Sequence, residues 1–218
     1  MSDASISTTT SDPRLPSRVL KRGIDVVGSL VLIALALPFA LLIAVAILVD
    51  SGWPIVFVQR RVGRHGEDFS IVKFRTMHRD ADAVLEDALA RDPQFRAEWE
   101  QTRKLKDDPR VTRVGRAIRR VSLDELPQLL NVLIGSMSLV GPRPVSPEEI
   151  AYFGERAPEI LSVRPGLTGL WAVSGRSEIS YDERVLLEYR YVTAWSLGLD
   201  VRILLATLPA VVRGHGAY

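Results

Sequence analysis

Residues 26–49, VVGSLVLIALALPFALLIAVAILV, carry no charge. Wound as a helix at ~1.5 Å per residue, the run is about 36 Å long, enough to cross a bilayer core of about 30 Å. Pro38 stands at its middle. A proline removes one backbone donor and clashes with the preceding turn, so a sharp bend is expected there. Basic residues flank the run on both sides, Lys21 and Arg22 before it, Arg60, Arg61 and Arg64 after it. The positive-inside rule therefore gives no orientation for a single span. A helix that enters, bends at Pro38 and returns to the same face puts both basic flanks in the cytoplasm. We read the run as such a re-entrant helix–break–helix, with a full span and a buried soluble helix as alternatives. Its length, and the lack of a small-residue cleavage site, argue against a signal peptide. Trp53 at the exit suits a membrane interface.

The rest of the chain divides around this segment. Residues 1–13 are rich in Ser, Thr and Asp and read as a disordered tail. Residues 14–53 form the membrane-embedded part, and 54–218 a cytoplasmic, membrane-associated domain. Residues 54–77 alternate around Arg-His-Gly-Glu-Asp and read as a β-hairpin. Residues 79–106 read as one or two charged helices, and Asp107-Asp108-Pro109 as a break. Residues 112–120 and 126–134 look helical; 141–147 and 164–169 read as Pro/Gly loops. Val201, Leu204, Leu205 and Leu208 lie at helical spacing, as a core stripe or an interfacial helix. The fold class is α+β, mainly helical, with a β-hairpin and interfacial amphipathic helices.

Composition narrows the chemistry. The chain has no cysteine, which excludes disulfides, thiolate metal sites and cysteine nucleophiles. A net charge of +2 is too small to argue for nucleic-acid binding. Residues 80–101 are mostly acidic and 102–120 mostly basic. The basic block admits an anionic partner or is simply a solvated helix face.

VSLDELPQLLNVLIGSMSLVGPRPV, residues 121–145, holds adjacent carboxylates, Asp124 and Glu125, near a helix start. Ser122 and Glu125 fit a capping box, but Pro127 would then fall past the first turn, so a start near Pro127 suits proline better. In either case the helix dipole favours ionised carboxylates there, as a nucleophile or a Mg²⁺ ligand requires. Arg119 and Arg120 lie one turn upstream. Arg143 stands between two prolines, and Arg164 and Arg176 lie in Gly-rich turns. Arginines on stiff loops bind phosphates at little entropic cost. The alternative for each is ordinary surface charge. Together with the membrane segment they suggest chemistry on a phosphate at a membrane surface.

The chain resembles bacterial sugar transferases of the monotopic phosphoglycosyl transferase type. The resemblance rests on KRGIDVVGS (21–29), VKFRTM (72–77), residues 107–145 and RPGLTGLWAVSGR (164–176). It is nearest to the short members that begin exopolysaccharide synthesis. It implies a reaction at the cytoplasmic face of the bacterial inner membrane. A UDP-sugar gives its sugar phosphate, galactose or glucose phosphate, to undecaprenyl phosphate, and UMP leaves. The resemblance makes Asp124 the nucleophile that forms a covalent phosphosugar intermediate, and Glu125 a ligand or positioner of Mg²⁺. It places Arg119 on phosphate, and Lys73, Arg143, Arg164 and Arg176 in motifs lining the site. Where the family bends its membrane helix at Ser-Pro, this chain has Leu37-Pro38, and Ala172 stands where many members have Gln. Membrane lipid is a further expected partner, nucleic acid is not, and a homodimer is left open. The competing reading is a membrane-anchored protein that binds anionic lipids through its basic block without turnover.

Overall fold

A computed structural model describes residues 15–102, 105–175 and 179–213. The tail 1–13 and Arg176 lie outside the described residues. The first helix, α1 (Leu15–Ser51), runs without interruption through Pro38. Its apolar side chains are largely bare: Leu42 is 68% exposed and Val49 81%. A continuous exposed apolar surface of this size has no place in water. Among the described residues it is the one helix long and apolar enough to cross a membrane.

One stripe of α1 docks on the rest of the chain through polar contacts at both ends. Near its start, Lys21 Nζ donates to Val140 O at 2.9 Å and pairs with Asp200 at 2.7 Å. Arg22 donates to Val132 O and Leu133 O. Asp25 Oδ1, buried, accepts from Ser138 Oγ and the Leu139 N–H. Near its end, Asp50 Oδ2 accepts from the Val114 N–H. Arg75 Nη2 donates to Ser51 O and Gly52 O, both at 2.7 Å. A cation on the last carbonyls satisfies groups the helix leaves open and complements its dipole. Ile43 and Ile47 pack between these polar contacts against Phe74 and Ile118.

The expected hairpin forms from β1 (Val56–Val62) and β2 (Asp68–Phe74), antiparallel, with Val56 opposite Phe74 and Val62 opposite Asp68. A single turn of 3₁₀ helix, Arg64–Gly66, closes it. The charged stretch becomes two helices, α2 (Ala81–Arg91) and α3 (Pro93–Thr102). Then come α4 (Arg113–Arg120), a 3₁₀ turn at Leu123–Glu125 and α5 (Gln128–Ile134). Thr112 Oγ1 caps α4 by accepting from the Gly115 N–H.

The two Pro/Gly stretches read as loops hold a feature that sequence did not give. β3 (Ser138–Val140) and β4 (Gly166–Thr168) pair in parallel. At three residues each, the strands are too short to show a period of two. What joins them is close backbone approach. A Cβ on Gly166 would lie 2.0 Å from Gly141 N, and one on Gly169 2.2 Å from Gly141 O. Between the strands lie a 3₁₀ segment, Pro147–Arg156, and α6 (Ala157–Ile160). The chain ends in α7 (Leu170–Val173), α8 (Tyr181–Thr193) and α9 (Leu197–Arg213).

The main core gathers Ile71, Leu129, Val132, Met137, Leu139, Val140, Tyr191 and Ile203. Two helices turn part of their apolar side chains outward. On α9, Val201, Leu205 and Leu208 are exposed, whereas Ile203 is buried and Leu204 packs on the core. On α5, Leu130 and Ile134 are exposed while Leu129 and Val132 are core.

Candidate functional site

The two carboxylates sit on the 3₁₀ turn ahead of α5, and Pro127 takes the N-cap position of that helix. The capping box at Ser122 does not form. Ser122 is left-handed, at φ 56°, and its side chain caps nothing. Only a few per cent of non-glycine residues adopt such a backbone. Here the left-handed residue turns the chain out of α4 so that Asp124 and Glu125 face β2.

Glu125 Oε1 accepts from Lys73 Nζ at 2.7 Å. Lys73 follows Ile71 by two on β2, so both point to the same side of the hairpin. Burial pushes the Glu125 carboxyl up, but Lys73 and Arg143 together outweigh it and hold the group below the usual range. Asp124 goes the other way. Burial, then the Glu125 charge beside it, raises its pKa to about 6 against the pull of Lys73 and Arg119. The expectation that a helix dipole would favour an ionised Asp124 is thus outweighed. The helix behind it has only seven residues, and desolvation is the larger effect.

The cations come from four elements. Arg119, from the last turn of α4, is held by a 2.8 Å bond from Nε to Thr76 Oγ1 and faces Asp124 closely enough to feel its charge. Arg143, between its prolines, stacks over the Trp171 ring at 4.9 Å from α7. Its backbone N–H donates to Glu188 Oε1 at 3.0 Å. Burial raises the Glu188 carboxyl to about 8. Arg61, from β1, pairs with Glu149 at 3.1 Å. Arg61, Lys73, Glu125, Gln128, Arg143 and Trp171 enclose a cavity of about 10 Å³. That is room for about one water or one bare ion.

Lys73, Arg119, Asp124, Glu125 and Arg143 therefore come together. Arg164 does not join them. Its Nε donates to Gly135 O, and it lines a separate cavity with Lys21 and Arg22. Arg61, Gln128, Trp171 and Glu188 are additions that sequence reading missed. Glu188 had a visible signal: it falls on the buried stripe Val185–Glu188–Tyr191, where a carboxylate is out of place without a partner. Arg61 had none, being one arginine of a basic pair on a strand.

Among the described residues no three acidic or histidine side chains cluster as an all-protein metal site. Mg²⁺ does not need one, since it commonly takes one or two carboxylates and completes its shell with water and substrate phosphate. Asp124 and Glu125 fit that donor set, with Lys73 occupying one Glu125 oxygen.

A membrane-docked domain carrying a paired carboxylate among fixed cations is the class of protein that fold and site define. A family model described as bacterial sugar transferase matches residues 16–214, and the chain belongs to that family. It is 48% identical over 202 residues to the undecaprenyl-phosphate galactose phosphotransferase of Salmonella typhimurium, covering 93% of this chain and 42% of that protein. It is 46% identical to the exopolysaccharide production protein ExoY of Rhizobium meliloti, covering 91% and 88%. To the UDP-glucose:undecaprenyl-phosphate glucose-1-phosphate transferase of Caulobacter vibrioides it is 40% identical, covering 94% and 74%. The chain thus spans about two fifths of the Salmonella enzyme and most of the other two.

Proposed function

We propose that this chain transfers a sugar 1-phosphate from a UDP-sugar to undecaprenyl phosphate, releasing UMP, as a first membrane step of exopolysaccharide synthesis. The observation that carries the proposal is the Asp124–Glu125 pair held among Lys73, Arg119 and Arg143. The Asp124 carboxylate attacks the sugar-proximal phosphorus. The bond from that phosphorus to the bridging oxygen breaks, and UMP departs with the electron pair. The resulting aspartyl phosphosugar is attacked by an oxygen of the lipid phosphate, and the Asp124 carboxylate is regenerated. Lys73, Arg119 and Arg143 orient the phosphoryl oxygens and stabilise the charge that builds on them. Mg²⁺, held by Glu125 with Asp124 beside it, offsets diphosphate charge when bound. The names of the Salmonella and Caulobacter relatives support galactose or glucose as the sugar.

The same reading puts α1 in the membrane as a re-entrant helix, with the site at the cytoplasmic face of the inner membrane. Arg22 and Ile47 both dock on one body, yet along a straight helix they would stand about 37 Å apart. A bend at Pro38 would bring them closer and return both basic flanks to one face. The outward Leu130, Ile134, Val201, Leu205 and Leu208 suit contact with lipid. UMP release by the full chain with Mg²⁺ and undecaprenyl phosphate, over a panel of UDP-sugars, tests the reaction. Lipid-dependent release from one donor and a phosphosugar mass on Asp124 are expected. No release together with no adduct sinks the reading in favour of lipid binding alone. Periplasmic labelling of a cysteine placed at Ser7 would show a full span instead of a re-entrant helix.

A further inference from the structure

A second cavity, of about 170 Å³, opens at the foot of α1. At ~30 Å³ per water it is large enough for about five waters, or for a phosphate group with part of its ester arm. It shares no lining residue with the cavity beside Glu125. Lys21, Arg22 and Asp25 reach it from α1, Arg64 from the hairpin tip, and Arg164 from the loop before β4.

The charge here is unbalanced. Lys21 is matched by Asp200. Three of the four arginines that line the cavity are held on backbone carbonyls instead: Arg22 on Val132 and Leu133, Arg64 on Ser162 at 3.0 Å, Arg164 on Gly135 at 2.7 Å. None of the three forms an ion pair among the described residues. Carbonyls fix a guanidinium in place without cancelling its charge. Asp25 is the one carboxylate lining the cavity, and its Oδ1 already accepts two bonds. Burial first, then Arg22 and Arg64, push the Arg164 guanidinium to a lower pKa.

The surroundings say what kind of anion fits. Val163, Val192 and Trp195 complete the wall. On the same turns of α1, Val19, Leu20, Ile24 and Val27 are exposed, Val19 at 69%. Lys21, Arg22 and Asp25 lie within the five residues before the uncharged run 26–49. The cavity lies where the helix passes from charged to apolar surface. A free phosphate would use only the cations, whereas a phosphate ester bearing acyl chains uses both surfaces.

We propose that this cavity is a second anion site, separate from the carboxylate pair, and that it takes the phosphodiester headgroup of an anionic membrane phospholipid. The inference does not rest on the transferase reading. It needs only that α1 enters the membrane.

The test uses the full chain in nanodiscs of equal phosphatidylglycerol and phosphatidylcholine, with retained lipid counted by native mass spectrometry. Phosphatidylglycerol should be retained over phosphatidylcholine by about tenfold, and Arg64→Gln with Arg164→Gln should bring the two near parity. Arg64→Gln alone, at an exposed position, should give a smaller loss in the same direction and serves if the double variant does not fold. Equal retention of the two lipids by the unaltered chain, or undiminished selectivity in the variants, overturns the proposal. So does an equal loss in Arg113→Gln with Arg116→Gln, exposed arginines on α4, because the preference would then be diffuse surface charge. Displacement of the lipid by millimolar glycerol 1-phosphate or inorganic phosphate would show a free-phosphate site and overturn the lipid assignment.

Discussion

The two cavities are built from neighbouring backbone and differ in how they balance charge. Around Glu125, acids and bases meet: Lys73 on Glu125 and Arg61 on Glu149, while the Arg143 guanidinium stacks on Trp171. At the foot of α1, four arginines and Lys21 line the cavity with one carboxylate, Asp25. The first cavity is closed down to about 10 Å³ and the second stands open at about 170 Å³. Matched charges draw together and hold a site in shape without ligand. At the foot of α1 the guanidiniums of Arg22, Arg64 and Arg164 rest on carbonyls, which fix them without cancelling their charge. Beside the first cavity, Asp124 is the carboxylate left out of balance, with its pKa raised to about 6.

The comparison breaks most sharply at Asp124. Asp124→Asn should lower UMP release by about 10⁴-fold or more and abolish the adduct, as expected when a nucleophile is lost. Lipid selectivity at the foot of α1 should stay unchanged. Substantial residual turnover would remove Asp124 from its role. Next in size is Lys73→Met, which leaves Glu125 without its ion-pair partner. Turnover should fall by about 10²-fold, and the acid limb of the rate profile should move to higher pH, because Glu125 then gains a proton more readily. A drop in rate with an unmoved limb would mean that Lys73 acts on substrate alone.

Gly166→Ala tests the ladder that serves both cavities. The new Cβ would fall 2.0 Å from Gly141 N, so backbone must shift. A loss of about 1–3 kcal/mol is expected, read as a lower midpoint in thermal or denaturant unfolding, with both lipid selectivity and turnover reduced. If only one function changes, the two cavities are less joined than β3 and β4 suggest.

The smallest effects concern pH. Adduct formation should rise through an apparent pKa of about 6 and level off above it. For stability the sign is opposite. The folded state holds the Asp124 proton more tightly than the unfolded chain, so this group weakens folding as pH rises through the window from about 4 to 6. Asp124→Asn should therefore raise the melting temperature above pH 6, with the gain fading below pH 4. An equal shift at pH 8 and pH 3.5 would assign the effect to packing instead.

Much of this was legible in sequence, for reasons that differ by region. The uncharged run, the hairpin and the carboxylate pair declare themselves by composition, alternation and adjacency. Pro127 correctly pointed to a helix start at its own position, because proline's ring allows few others. The β3–β4 ladder was hidden because its signal is glycine, and glycine marks loops and close backbone packing alike. Arg164 was grouped with Arg143 on the shared chemistry of stiff loops. Its separate placement follows from a pairing of strands that no local pattern reports. The outward turn of Leu130 and Ile134 was not legible because every face of a leucine-rich helix looks alike in sequence.

Lys73 and Arg75 are two residues apart on one extended stretch, and that spacing acts as a ruler. One end is tied to Glu125, and the other clasps the last carbonyls of α1. At ~3.3 Å per residue the two anchors lie about 7 Å apart along the chain. The height of the carboxylate pair above the point where α1 leaves its apolar surroundings is thus set by three consecutive side-chain positions, with no flexible joint between. A phosphate carried at the rim of a bilayer would meet this site at one depth, whatever the thickness of the membrane beneath it.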